Sequence, residues 1–185
     1  MELTKDSGCG VVYAVAGAPY FREARTSIRS LRALHPDVPV TVFVAGERAI
    51  ASEVMGAIGG IEFVDLSHEV SAMGFDLNDL MAASRALKIR TILETRYHRT
   101  LFLDSDTYVK KDISGIFAAI GDDTATEIVV TNEPIVSTMT MSQAGAGSQV
   151  RPEAAGLKAF SNPLLFNSGV FAFRATSDIA ALGKW

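Results

Sequence analysis

Residues Arg99–Asp112 read RTLFLDSDTYVKKD. Thr100 to Leu103 form an apolar, strand-forming run that ends at two aspartates one residue apart, Asp104 and Asp106. A strand of this composition is expected to cross a core. Ending such a strand in paired carboxylates calls for a chemical reason, and the elements on either side supply the frame for one.

Upstream, residues 77–96 (LNDLMAASRALKIRTILETR) are rich in Ala and Leu without Gly or Pro, which predicts a helix. Before it, His68 to Asp79 is polar and contains a glycine, and reads as a loop. Three earlier strands are expected at 11–16 (VVYAVA), 38–45 (VPVTVFVA) and 61–66 (IEFVDL). Two helices separate them. The first runs from Tyr20, with Ala24, Ile28, Leu31 and Leu34 on one face, and stops before Pro36. The second covers 47–58 and closes at Gly59 and Gly60. Downstream, the pattern predicts a short helix over 112–120, a strand over 126–134 and a last strand over 166–174 (FNSGVFAFR). Residues 137–156 are small, polar and Gly-rich, the composition of a lid or binding loop. Strands alternate with helices, and the strands are continuously apolar. The fold class is therefore mixed α/β, with a mainly parallel central sheet and helices on both faces.

The bulk properties fit one domain spanning 1–185. Hydrophobic residues make up 48% of the chain, enough for a sizeable core. Seventeen basic residues against 21 acids leave a formal charge of −4, which disfavours nucleic acid as a partner. The single cysteine, Cys9, cannot form an internal disulfide, in keeping with a reducing compartment. MELTKDSGCG lacks the apolar core of a signal peptide, and no segment has the run of about 18 apolar residues of a membrane span. A cytoplasmic protein is expected, with oligomeric state left open.

In parallel α/β sheets, ligands bind beyond the carboxyl ends of the strands. Asp104 emerges at such an end. Asp104 and Asp106 are two apart, so in extended chain both side chains leave on one face. Two carboxylates on one face repel each other, and a divalent cation relieves that repulsion. Oxygen ligands favour Mn²⁺ or Mg²⁺, ions that keep coordination positions open for phosphates. The pair alone is weak, because eleven aspartates give about 0.65 such pairs by chance. Its place at the close of an apolar strand carries the reading. The three histidines are poor candidates for ligands: His98 lies at the far end of the strand, and His35 and His68 read as loop residues.

LFLDSDTYV at 101–109, Lys88 sixteen residues before Asp104, and FNSGVFAFR at 166–174 together resemble glycosyltransferases of the nucleotide-diphospho-sugar transferase fold, GT-A. The closest likeness is to family eight, the glycogenin-like group. Tyr20, Ala24, Ser30 and Leu31 match the helix after that group's first strand. The resemblance implies a nucleotide-diphosphate sugar donor, most simply a UDP-sugar, an unspecified acceptor, and retention of anomeric configuration. It implies that Asp104 and Asp106 hold the metal and that Asp104 also reaches the ribose. Lys88 would contact the diphosphate or the sugar, with Arg85 on the same helical face. Val15, Ala16, Gly17 and Tyr20 would lie by the nucleotide, and Ser105 between the aspartates. Asn132, Asn167 and Ser168 would line the sugar, with Lys88 and Asn167 closest to the chemistry, while Gly169 allows close backbone approach.

Two departures are visible. Ala16 and Gly17 stand where the group carries Thr and Asn, so contacts to the base would come from backbone. The group's third metal ligand is a downstream histidine, and none follows His98, so water or residues beyond Trp185 would complete the ion's shell. A catalytically inactive nucleotide-sugar-binding domain and a sugar nucleotidyltransferase are the alternatives.

Overall fold

The computed structural model describes residues 8–132 and 166–175. Strand β1 (Cys9–Ala16) is buried at every position, and its residues alternate between the two faces of the sheet. Val11, Tyr13 and Val15 enter one apolar cluster, Val12, Ala14 and Ala16 the other. This double burial explains the unbroken apolar run in the sequence. Helix α1 (Ala18–Leu34) covers the first face with Phe21, Ala24, Ile28 and Leu31, all fully buried. Each of the three larger side chains contributes about 1.5–3 kcal/mol through burial. Strand β2 (Val40–Ala45) follows, then α2 (Arg48–Met55), a 3₁₀ turn at Gly56–Ile58, and β3 (Ile61–Asp65). Arg32 fastens the end of α1 to the starts of these strands by donating to the carbonyls of Val38 and Gly60.

The second face is covered by α4 (Leu80–Glu94), whose Ala83, Ala86 and Leu87 are buried. Asp79 caps this helix by accepting from the Ala82 N–H at 3.1 Å, which starts it three residues later than the sequence pattern predicts. A further helix, α3 (Ser67–Ala72), occupies much of the stretch read as a loop. It forms because the Asp65 carboxylate accepts from both the backbone and the hydroxyl of Ser67, and because Val70 is fully buried. His68 is thus helical, and His35 closes α1.

Strand β4 (Arg99–Leu103), helix α5 (Ser114–Ala119), β5 (Ile128–Asn132) and β6 (Phe166–Arg174) complete the described chain. The sheet order is β3-β2-β1-β4-β6-β5. Strands β3, β2, β1 and β4 are parallel, and β6 runs antiparallel to β4 with Leu101 opposite Ala172. The chain moves outward from β1 to β3 and then returns to the other side of β1 as β4. The strand order therefore reverses between β1 and β4, which opens a crevice at their carboxyl ends.

Two compact units divide the chain. One comprises Met1–Val129 with Gly169–Trp185, the other Val130–Ser168. Of the second unit, the end of β5 and the start of β6 are described. The Gly-rich stretch 137–156 lies outside the described residues. No described helix is long and apolar enough to cross a membrane.

Candidate functional site

A cavity of about 310 Å³ opens at the reversal point between β1 and β4. Its floor is the end of β1, residues Ala14, Val15 and Ala16. Tyr20 and Glu23 border it from α1. Helix α4 presents Met81, Ser84, Arg85 and Lys88, which recur at spacings of three, one and three on one helical face. Asp104, Ser105 and Asp106 close the ring. A larger cavity of about 790 Å³ lies at the opposite end of the sheet. Its arginines are already engaged, Arg32 with backbone carbonyls and Arg96 with Glu62 at 2.7 Å.

The two aspartates are brought together by a turn rather than by extended strand. The strand ends at Leu103, and Thr107 N–H donates to the Asp104 carbonyl at 3.2 Å, so residues 104–107 reverse direction. This corrects the extended-chain argument while keeping both residues on the cavity. The turn is tied to the core by a thread of hydroxyls. Thr107 Oγ1 donates to the Asp104 carbonyl at 2.8 Å and meets Ser27 Oγ at 2.9 Å, which in turn meets the Tyr13 hydroxyl at 3.0 Å. Tyr13 and Ser27 are fully buried. Burial pushes the Tyr13 phenol well above its ordinary value, partly offset by the Ser27 hydrogen bond and the Arg32 charge. One turn further along α1, Ser30 Oγ accepts the Val109 N–H at 2.9 Å. The Asp104 N–H donates to the Gly169 carbonyl at 2.7 Å, so the β6 backbone steadies the same turn.

Lys88 is the counter-ion of Asp104. Its ammonium lies 2.8 Å from Oδ1 and 3.2 Å from Oδ2, and 5.0 Å from the centroid of the Phe102 ring. Ser105 donates to the Glu23 carboxylate at 3.2 Å, leaving Asp106 exposed toward the opening. The carboxylates fit a hard divalent cation: they are oxygen donors on one turn, and Asp104 already offers both oxygens to a cation. No group of three or more His, Cys, Asp and Glu side chains suited to a metal gathers among the described residues. The rest of an ion's shell would therefore be water and donor oxygens.

Of the expected residues, Val15, Ala16, Tyr20, Arg85, Lys88, Asp104, Ser105 and Asp106 share this cavity. Gly17 does not line it. It precedes α1 with φ 88°, and a Cβ there would stand 2.8 Å from Leu80. Asn132, at the end of β5, and Asn167 and Ser168, at the start of β6, belong to the second unit, and the side chains of Asn132 and Asn167 lie outside the described residues. Two of the three histidines are engaged elsewhere. His98 pairs with Asp122 at 2.8 Å, a contact that holds the Asp122 carboxyl below its usual range. His35 accepts the Ile113 N–H at 3.2 Å. Met81 and Ser84 escaped the sequence reading although they precede Lys88 by seven and four residues on its own face. Thr107 follows the aspartates within the LFLDSDTYV motif, whereas Glu23 and Ser27 left no comparable signal.

A protein-family model described as "Mannosyltransferase putative" matches residues 8–121, more than half of the chain. The chain belongs to this mannosyltransferase family. No curated protein matches the sequence. Among solved structures, the galactosyltransferase LgtC, in complex with donor and acceptor sugar analogs, superposes with a TM-score of 0.60 at 20% identity over 96% of this chain and 60% of its own. The bifunctional glycosyltransferase WbbM gives 0.62 at 18% identity over 97% and 34%. Mouse xyloside xylosyltransferase 1 gives 0.57 at 15% identity over 89% and 66%. The fold is thus that of the GT-A glycosyltransferases. The chain spans about 60% of the length of LgtC and about a third of WbbM.

Proposed function

We propose that this chain binds a nucleotide-diphosphate sugar with Mn²⁺ or Mg²⁺ and transfers its hexose to an acceptor. The observation that carries the reading is the convergence of Asp104, Asp106 and Lys88 on one cavity at the strand-order reversal. Mannose is the hexose that the family's description suggests, and UDP the nucleotide that the glycogenin-like motifs suggest. A bound divalent ion would neutralise charge as the diphosphate departs.

The chain's own groups divide the remaining work. Asp104 and Asp106 hold the ion, and the hydroxyl thread behind Thr107 fixes where their carboxylates point. Lys88 adds positive charge at the diphosphate, and Arg85, one turn earlier on α4, extends it. Tyr20 flanks the base, while the backbone of Val15 and Ala16 meets its edge. Asn132, Asn167 and Ser168 remain our choices for the sugar hydroxyls. No carboxylate is proposed as a covalent nucleophile. Departure of the diphosphate with attack from the same face would give the retained configuration that the family-eight likeness implies.

Donor hydrolysis tests the proposal. The full chain would be incubated with Mn²⁺ and, in turn, UDP-glucose, UDP-galactose and GDP-mannose. Release of free hexose and nucleoside diphosphate from one of them is expected, and its loss on adding a chelator. Binding without turnover of any donor would reduce the reading to a nucleotide-sugar-binding domain; absence of binding would refute it.

A further inference from the structure

The grip of Lys88 on Asp104 has a consequence for the order in which ligands enter. One ammonium straddles both oxygens of the carboxylate, at 2.8 and 3.2 Å. That is the ground a divalent ion needs if it is to hold Asp104. The pair is partly buried, with the side chains 21% and 33% exposed, so it is screened less than a surface ion pair. An incoming divalent ion and the ammonium therefore compete for the same oxygens.

Resting on the reading above, we propose that Lys88 couples divalent-cation binding to nucleotide binding by exchanging Asp104 for the diphosphate. With the cation alone, the ammonium is displaced from the Asp104 carboxylate. With the nucleotide alone, it must serve either Asp104 or the phosphates. With both, the cation takes Asp104 and the ammonium takes the diphosphate, so each cationic group has its own anion. The flexible four-carbon stem of lysine allows this swing, and the buried Phe102 ring, 5.0 Å from the ammonium, keeps it near the base of the cleft while it pairs with Asp104. Thermodynamic reciprocity then requires each ligand to tighten the other by the same factor.

The test measures Mn²⁺ binding to the full chain by water-proton relaxation, with and without UDP, and with GDP in parallel. In the unaltered protein the nucleotide should raise Mn²⁺ affinity roughly 10- to 100-fold. Lys88→Met should bind Mn²⁺ alone about tenfold more tightly and lose a similar factor from the nucleotide's enhancement. Lys88→Gln, measured alongside with its thermal midpoint, carries the same expectation, and Lys88→Arg should keep the coupling. If both neutral variants leave Mn²⁺ affinity and its enhancement unchanged, the exchange is refuted while the proposed function stands. If the unaltered protein binds neither Mn²⁺ nor nucleotide, both fall.

Discussion

Single side chains tie the aspartate-bearing turn of the cleft to the core. Ser27 is the joint of the thread: it links Tyr13 on β1 to Thr107 on the turn, which lies eighty residues further along the sequence than Ser27 itself. No spacing rule connects positions so far apart, and a serine within a helix carries no one-dimensional mark of what it touches. Lys88 was legible because motif and helical face agreed. Ser27 and Glu23 act through contacts that exist only once the chain has folded. Replacing Ser27 with Ala takes from Tyr13 the only partner its hydroxyl has among the described residues. It should lower unfolding free energy by about 1–3 kcal/mol, read by urea titration. It should also weaken Mn²⁺-dependent nucleotide binding. Unchanged values for both would show that the thread does not position the turn.

At the scale of elements, the strands and the long helices could be read because burial on both faces, or on one stripe, writes a period into the sequence. Helix α3 could not. Its six residues contain one buried position, Val70, and it is held by side-chain bonds from Asp65 that periodicity does not encode. The antiparallel run of β6 was equally hidden, since FNSGVFAFR is apolar whichever way it points. Gly17 shows how two elements meet at the cleft. Its φ of 88° disfavours any side chain, and a Cβ would press on Leu80 at 2.8 Å, so α1 and α4 approach closely only across a glycine. Gly46 has a similar φ of 74° with nothing within 4 Å of its Cβ position. Gly17→Ala should therefore cost more than Gly46→Ala. The common strain is about 1–3 kcal/mol, and the contact with Leu80 adds to it. Thermal midpoints of the two variants check this; equal shifts would mean that the helices yield freely.

For the whole molecule, sequence pattern reached the fold class and the side of the sheet on which ligands bind. The crossover that sets β4 beside β1 needed three-dimensional structure. The core that results has a pH signature. Burial raises the phenol pKa of both Tyr13 and Tyr97, so the fold favours the neutral rings. That stabilisation is complete below the unfolded value of about 10 and is lost as pH rises beyond it. Urea midpoints should fall on going above roughly pH 10, and less steeply in Tyr13→Phe, which has no phenol to ionise. Parallel slopes would show that Tyr13 ionises as freely folded as unfolded.

The proposed function rests on two carboxylates gathering a cation that in turn gathers a diphosphate. Calorimetric titration of UDP into the full chain, with and without Mn²⁺, in the unaltered protein and in Asp104→Ala and Asp106→Ala, tests that most directly. The account predicts Mn²⁺-dependent binding that weakens at least about tenfold in each variant, a loss of roughly 1.4 kcal/mol or more, with the fold intact by circular dichroism. Nucleotide binding whose Mn²⁺ dependence survives both substitutions unchanged would contradict it.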